Sequence, residues 1–129
     1  MVIDTSALLA ILLDEPERRH FNELVEADET RLVSAAALLE ASIVIEARKG
    51  EAGGRELDLL LHRAKMDIVP VDAEQVELAR VAWRCYGKGR HAAGLNYGDC
   101  FSYALAKSSA ERLLAKGDDF KQTDIPMCS

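Results

Sequence analysis

The hydrophobic positions of the chain fall into short continuous runs and longer stretches with helical spacing. Four short runs predict β-strands at residues 1–3, 30–34, 67–71 and 112–115, and the first, which is apolar and ends at Asp4, is predicted to be buried. Between them, apolar residues recur every three or four positions, which indicates amphipathic helices. The predicted helices span residues 6–13, 35–48, 55–65, 73–86 and 96–107, with one more that follows Asp14 and contains Val25. This alternation favours an α/β sandwich with a mostly parallel sheet, formed by residues 1–129 as one domain.

Turn and cap residues separate these elements. Asp14 and Asp72 are each predicted to cap the helix that follows, and Lys49-Gly50 is predicted to close the third helix. Pro70 predicts that the third strand is short or lies near an edge of the sheet, because proline lacks the amide that a central strand needs. A glycine-rich basic loop at residues 87–94 precedes the last helix, and a final short strand is expected at Ile125.

Composition and charge limit the function classes. The 129 residues are 49% hydrophobic and carry a net charge of −6, so bulk charge does not attract nucleic acid. Any RNA-binding function therefore needs a local basic patch or bound cations. The three cysteines are widely spaced and predict neither a zinc site nor a disulfide framework. With no leader-like or membrane-spanning segment evident, we expect a cytoplasmic protein with reduced thiols and no membrane partner.

Five acidic residues occupy positions where catalytic and ligand-binding side chains are common in α/β folds. Asp4 follows the first strand, and Asp118 and Asp119 follow the fourth. Glu40 lies on the helix after the second strand, and Asp99 lies in the first turn of the last helix. Each has a purely structural explanation as a cap, a turn or a solvent-facing residue. However, ligands bind at the carboxyl edge of a parallel sheet, where all four regions are able to converge.

Repulsion within such an acidic cluster predicts a bound cation. Two carboxylates about 4 Å apart repel by about 4 kcal/mol at an effective dielectric constant near 20. Three or four therefore do not stay ionised together without a cation between them. An all-oxygen site with no cysteine or histidine favours Mg²⁺, with Mn²⁺ as a substitute. Such an ion makes hydroxide available near neutral pH and neutralises phosphate charge, which suits phosphodiester hydrolysis.

Four segments, taken in order, resemble the four sequence motifs of PIN domains. They are VIDTSAL at residues 2–8, LEAS at 39–42, LNYGDCFSYALA at 95–106, and LLAKGDDF at 113–120 with TDI at 123–125. The most similar type is the VapC toxin, including GGREL at 53–57 and YGKGRH at 86–91. The resemblance implies a three-layer α/β/α sandwich. It also implies a Mg²⁺-dependent endoribonuclease toxin of a type II toxin–antitoxin system, which cuts structured RNA, often tRNA. A homodimer and a cognate antitoxin that plugs the site are implied as well.

The resemblance assigns roles to individual residues. Asp4 and Asp99 match the principal metal ligands, and Glu40 matches a third acid that acts on the metal directly or through water. Thr5 or Ser6 matches a hydroxyl that orients a carboxylate or a water. The implied reaction is in-line attack of water on a phosphodiester, which leaves 5′-phosphate and 3′-hydroxyl ends.

The fourth motif departs from the family pattern. Many relatives have threonine or serine, then one residue, then the acid, whereas this chain has Ala115-Lys116-Gly117 followed by Asp118 and Asp119. Asp119 is the first choice for the fourth acid, and Asp118 the second.

Basic and aromatic residues near the third motif have two interpretations each. Lys88 and Arg90 suit contact with an RNA backbone close to Asp99, but a solvated loop also explains them. Trp83 and Tyr86, at helical spacing, are interpreted as core or dimer contacts in preference to a base-stacking surface.

Other protein classes fit the sequence less well. A phosphorelay receiver needs an acidic pair after its first strand, and a haloacid dehalogenase-type phosphatase needs Asp-x-Asp, whereas Asp4 is followed by Thr5-Ser6. A PIN nuclease acting on ribosomal RNA or DNA would have the same site and stays open as an alternative. A non-catalytic Mg²⁺-binding signalling or binding module is the remaining alternative.

Overall fold

The computed structural model describes residues 1–129 as four short strands surrounded by helices. In chain order the elements are β1 (Val2–Ile3), α1 (Thr5–Leu12), α2 (Arg18–Ala27), β2 (Leu32–Ser34), α3 (Ala35–Arg63), β3 (Asp67–Val69), α4 (Ala73–Tyr86), α5 (Tyr97–Ser109), β4 (Leu113–Leu114) and a 3-10 turn (Phe120–Gln122). The strands are parallel in the order β3-β2-β1-β4. Because they are parallel, their carboxyl ends share one edge of the sheet.

The alternation of side chains along each strand divides the core into two layers. Ile3 and Leu114 pack into a cluster with α1, α2 and α3, whereas Val2 and Leu113 pack into a second cluster with α4 and α5. Neighbouring residues point to opposite faces because a strand has a side-chain period of two. All four are at most 1% exposed. The predicted three-layer α/β/α sandwich with a parallel sheet is confirmed.

The third and fourth predicted helices form one long element with a break. The break is at Gly50, whose φ of 64° and ψ of −158° are not helical. Helical structure resumes at once, so Gly53 and Gly54 lie inside the helix and do not precede it. Gly53 is required there by packing, because a Cβ would lie 2.7 Å from the carbonyl oxygen of Ile45. The sequence pattern placed this glycine before a helix that begins at residue 55 and missed the close approach.

Two predicted local features are wrong. Asp14 does not cap α2: it has φ 52°, and Glu17 occupies the cap position without a side-chain hydrogen bond. Ile125 is buried in the second core cluster without forming a strand, and Met127 instead makes an isolated parallel bridge with Leu113. The Asp14 amide donates to the carbonyl of Ile11 in a turn after α1, and the Ile125 amide donates to Thr123 Oγ1 at 3.2 Å in place of a strand partner.

Two other local predictions are confirmed. The strand before Pro70 is the edge strand β3, and Asp72 caps α4 by accepting a 2.8 Å hydrogen bond from the amide of Gln75. The three cysteines form no disulfide. None of the helices combines the length and the apolar character needed to cross a membrane.

Candidate active site

Asp4 is a buried carboxylate fixed at the carboxyl end of β1. It caps α1 and is only 3% exposed. Its Oδ2 accepts hydrogen bonds from the amide of Ser6 at 3.0 Å and from the Ser6 hydroxyl at 2.7 Å. Its Oδ1 accepts a 2.6 Å hydrogen bond from the hydroxyl of Ser102. These donors set the direction of the carboxylate at the start of α1.

The two hydroxyls that follow Asp4 have different roles. Ser6 Oγ donates to Asp4 and accepts from the amide of Lys116 at 2.9 Å, which ties the end of β4 to the site. Thr5 is buried and donates instead to the carbonyl of Ala37 at 3.1 Å, so it joins α1 to α3. Of the two residues suggested to orient a carboxylate, the structure therefore places Ser6 on Asp4 and Thr5 away from it.

Ser102 is a site residue that the sequence reasoning missed. It is fully buried on α5 and reaches Asp4 across 98 positions of sequence. The available signal was its spacing, because residues three apart on a helix lie on one face and Ser102 follows Asp99 by three.

Asp99 has a structural role at the start of α5 and a strongly raised pKa. Its amide donates to Asn96 Oδ1 at 2.9 Å and its Oδ2 accepts from the Asn96 amide at 3.0 Å, forming a capping box at the start of α5. Burial raises the pKa of Asp99 to about 6, against the lowering effect of the Asn96 amide. Repulsion from Asp4, Asp119 and Glu40 adds to the rise of this pKa. Asp99 therefore lies in the field of the other three acids.

Glu40 reaches this cluster because the facing position on α5 is glycine. A Cβ on Gly98 would lie 2.4 Å from Glu40 Oε2 and 2.7 Å from Oε1. The carboxylate thus lies directly over the backbone of α5, one residue from Asp99. Any other residue at position 98 would displace Glu40. Helical periodicity left the direction of Glu40 open, and the packing of α3 on α5 determines it.

The structure separates the two acids after β4. Asp119 is among the charges that raise the pKa of Asp99. Asp118 is 83% exposed and pairs with Lys121 at 3.0 Å. The buried Phe120 anchors the turn that holds both acids. Asp119 is therefore the acid placed beside the cluster, and Asp118 belongs to the solvent face of the turn.

The donor set fits a hard divalent cation that keeps part of its water. No three acidic, histidine or cysteine side chains are close enough to form a ready-made metal cage. Mg²⁺ rarely uses such a cage: it binds through one or two carboxylates and retains several waters. The carboxylates of Asp4, Glu40, Asp99 and Asp119 supply only oxygen donors. Repulsion from the other three carboxylates adds to the rise that burial causes in the pKa of Asp99, and a bound cation would offset this repulsion.

The basic loop is closed by a bridge between Gly87 and Leu95, and it carries its cations outward. The Arg90 guanidinium lies 4.1 Å from the centroid of the Trp83 ring, and Lys88 is exposed. His91 accepts a 3.0 Å hydrogen bond from the amide of Ala93 through Nδ1, so it shapes the loop.

Comparisons with known proteins agree with this arrangement. The sequence model of the family described as "PIN domain" matches residues 1–126. Over 125 residues, the chain is 65% identical to "Ribonuclease VapC30" of Mycobacterium tuberculosis, which covers 97% of this chain and 95% of the relative. It is 62% identical over 125 residues to "Ribonuclease VapC" of Mycolicibacterium smegmatis, with 97% of each chain covered.

Solved structures share the fold at much lower identity. The chain resembles VapC20 of Mycobacterium tuberculosis, described as a "Sarcin-Ricin loop cleaving toxin", with a TM-score of 0.78 and 16% identity over 98% of this chain and 97% of the other. It also resembles a chain from VapBC2 of Rickettsia felis, solved bound to a DNA fragment from their promoter. There the TM-score is 0.76 and the identity 17%, over 99% of this chain and 96% of the other.

Proposed function

The chain belongs to the PIN domain family and to its VapC ribonucleases, and from that premise we propose that it is the toxin of a toxin–antitoxin pair whose endoribonuclease activity depends on Mg²⁺. One observation carries the proposal: carboxylates from three other segments, those of Asp4, Glu40 and Asp119, lie near Asp99, whose pKa is raised to about 6 by burial and by their repulsion. A cluster of carboxylates like this one lowers the stability of the folded protein unless a cation or a substrate binds to it.

The protein's own contribution is positioning. Ser6 and Ser102 hold both oxygens of Asp4, so its remaining lone pairs point in fixed directions. Asp4, Asp99 and Glu40 would hold the cation, with Asp119 beside them. A bound Mg²⁺ would supply charge neutralisation at the phosphate and a water of lowered pKa.

The bond changes are those of hydrolysis. The water oxygen bonds to phosphorus in line with the bond to the 3′ oxygen, and that bond breaks. The fragments then carry 5′-phosphate and 3′-hydroxyl ends. The acid cluster fixes the geometry of these atoms, which is where positioning contributes most to the rate.

We propose tRNA as the substrate, because the VapC resemblance implies structured RNA and often tRNA. The solved VapC20 structure is described as a sarcin–ricin loop cleaving toxin, so that loop is the second RNA to test. The same resemblance implies a homodimer and a cognate antitoxin that closes the site. Two of the solved relatives are described as toxin–antitoxin assemblies. A cytoplasmic location suits the RNA substrate and the unpaired thiols.

Cleavage of purified RNA tests the proposal. Antitoxin-free protein is incubated with total tRNA and, separately, with a sarcin–ricin loop oligonucleotide, in Mg²⁺ or in EDTA. We expect discrete fragments in Mg²⁺ only, and none from a folded Asp99→Asn variant. Asp118→Asn is the matched control and should cut like the wild type. Cleavage that survives EDTA and Asp99→Asn would contradict the proposed site. Cleavage of the loop but not of tRNA would correct the substrate.

A further inference from the structure

Asp119 is the acid of the cluster whose carboxylate has no restraint of its own. Asp4 and Asp99 are held by hydrogen bonds, and Glu40 lies against the backbone at Gly98. Asp119 occupies the cap position of the 3-10 turn, but its side chain makes no capping hydrogen bond. The direction of this carboxylate therefore depends on where the backbone of the turn lies.

Residues 117–125, which we call the β4 turn, are bonded mainly to one another. The Thr123 hydroxyl donates to the carbonyl of Phe120 at 2.7 Å and accepts from the amide of Ile125 at 3.2 Å. Phe120 and Ile125 are buried in the second core cluster. Because apolar contacts have no preferred direction, they hold the β4 turn against the core without fixing its rotation.

Asp124 supplies a contact that does have a direction. It is the only side chain of the β4 turn that hydrogen-bonds to another element: its Oδ1 accepts from the Tyr103 hydroxyl at 2.7 Å, and its Oδ2 pairs with the Lys107 ammonium. Tyr103 is only 3% exposed, so its ring is fixed by packing. Burial alone would raise the pKa of Asp124, but the hydrogen bonds from Lys107 and Tyr103 lower it. Asp124 is thus ionised at neutral pH, and both contacts are charge-assisted.

The two partners of Asp124 lie on the helix that also carries Asp99. Tyr103 and Lys107 follow Asp99 on α5 by four and eight residues, and positions four apart on a helix lie on one side of it. One rigid element therefore presents Asp99 to the site and holds the end of the β4 turn. Asp119 and Asp99 repel each other, so a turn without this tie would move Asp119 away from the cluster.

Building on the proposed ribonuclease function, we propose that Asp124 is a positioning residue for Asp119. Its bonds to Tyr103 and Lys107 hold the β4 turn on α5 and keep Asp119 beside the other acids, ready for the cation. Asp124 itself takes no part in the reaction, since its oxygens face Tyr103 and Lys107. The loss of either partner should then weaken cation binding and slow cleavage, and it should do so only through Asp119.

The affinity for Mn²⁺, measured by electron paramagnetic resonance on antitoxin-free protein, tests this role without relying on activity. Tyr103→Phe removes one hydroxyl and keeps the buried ring, and it should bind Mn²⁺ about tenfold more weakly than the wild type. Tyr86→Phe is the matched control and should bind like the wild type. The Tyr86 ring lies 6.0 Å from that of Tyr103 between centroids, and its hydroxyl makes no hydrogen bond in the chain.

A double variant distinguishes positioning from a merely structural role. If Tyr103 acts through Asp119, then adding Tyr103→Phe to Asp119→Asn should leave the Mn²⁺ affinity and the single-turnover cleavage rate within about twofold of those of Asp119→Asn alone. A structural role predicts the same loss in both backgrounds. Equal losses in the two backgrounds would overturn the proposal.

Lys107 provides a second test that does not disturb the core. Lys107→Gln removes an exposed cation and should also weaken Mn²⁺ binding, whereas Lys107→Arg, which keeps the ion pair, should bind like the wild type. Lys121→Gln is the charge-matched control, because Lys121 lies in the β4 turn itself and pairs only with Asp118. Weaker binding by Lys121→Gln than by Lys107→Gln would mean that the charge matters and the tie does not.

Two outcomes separate this proposal from the ribonuclease function. A wild type that binds Mn²⁺ and cuts RNA, with both properties unchanged in Tyr103→Phe and Lys107→Gln, would remove the role of Asp124 and leave the enzyme in place. A wild type that neither binds Mn²⁺ nor cuts RNA would overturn both.

Discussion

At the scale of single residues, the orientation of Asp4 depends on two hydroxyls from distant parts of the chain. Ser6 is its neighbour in sequence, but Ser102 approaches from α5 in the fully buried interior. A buried carboxylate oxygen that loses its donor keeps its desolvation cost of about 1–3 kcal/mol. Ser102 is thus a positioning residue for the acid cluster.

Ser102→Ala is expected to lower the cleavage rate about tenfold while the protein stays folded. The reason is that Asp4 Oδ1 loses its 2.6 Å donor and the carboxylate rotates. Single-turnover cleavage and circular dichroism are the measurements. Ser108→Ala is the matched control, because that hydroxyl on the same helix only donates to the carbonyl of Leu105. Equal rates for the two variants would show that the Ser102 hydrogen bond does not matter.

The two adjacent acids after β4 give a second prediction at this scale. Asp119→Asn should reduce cleavage, because it removes a charge that acts on Asp99, whereas Asp118→Asn should have little effect, because Asp118 pairs with Lys121 in solvent. Cleavage rates at fixed Mg²⁺ compare them. The reverse order of rates would assign the fourth acid to Asp118.

At the scale of elements, α3 contains a break at Gly50 and a close backbone contact just after it. Gly50 adopts a positive φ that redirects the helix, and Gly53 then packs against the carbonyl of Ile45. The next residue, Gly54, faces only the carboxylate end of the flexible Glu46 side chain. A side chain at position 53 would therefore collide with backbone, whereas one at position 54 would meet only a flexible side chain.

Alanine at these two positions should have opposite effects on stability. Gly53→Ala is expected to reduce the free energy of unfolding by about 1–3 kcal/mol, because its Cβ meets backbone. Gly54→Ala should raise it by about 0.5–1 kcal/mol, because Glu46 moves aside and the unfolded chain loses freedom. Urea denaturation measures both. A stabilising Gly53→Ala would mean that the two halves of α3 are not packed this closely.

At the scale of the whole molecule, the acid cluster opposes folding unless it is neutralised. The folded-state pKa of Asp99 is raised to about 6 from 3.8. A raised carboxylate pKa stabilises the folded state at pH below the unfolded value, and this stability is lost as the pH rises to about 6. At neutral pH the folded protein therefore carries an unfavourable charge at Asp99.

In EDTA at pH 7.5 or so, Asp99→Asn is expected to be more stable than the wild type by about 1 kcal/mol, since partial exposure screens much of the repulsion. The advantage should vanish near pH 4, where Asp99 is largely protonated in the folded protein. Mg²⁺ should raise the melting temperature of the wild type at neutral pH and much less at pH 4 or so. Thermal melts at the two pH values measure this. A wild type that melts higher than Asp99→Asn in EDTA at neutral pH would contradict the raised pKa.

The sequence alone determined the order of strands and helices, and the resemblance to PIN domains supplied the three-layer class and supported the choice of candidate acids. The element order follows from local information: the hydrophobic period, the cap at Asp72 and the polar residues that follow the strands. It also indicated that the strand before Pro70 is short or lies near an edge, because proline lacks an amide. The predictions from local pattern were wrong at Asp14 and Ile125, where the backbone hydrogen bonds can be made in more than one conformation.

Only the tertiary structure decided which side chains meet. The direction of Glu40 depends on the missing Cβ of Gly98, and the bond from Ser102 to Asp4 joins residues 98 positions apart. Asp118 and Asp119 are the same residue type at adjacent positions, and they differ only in where the turn after β4 places their side chains. The contact of Asp124 with Tyr103 likewise comes from the packing of that turn on α5. Contacts of this kind depend on the relative placement of elements, which no local period encodes.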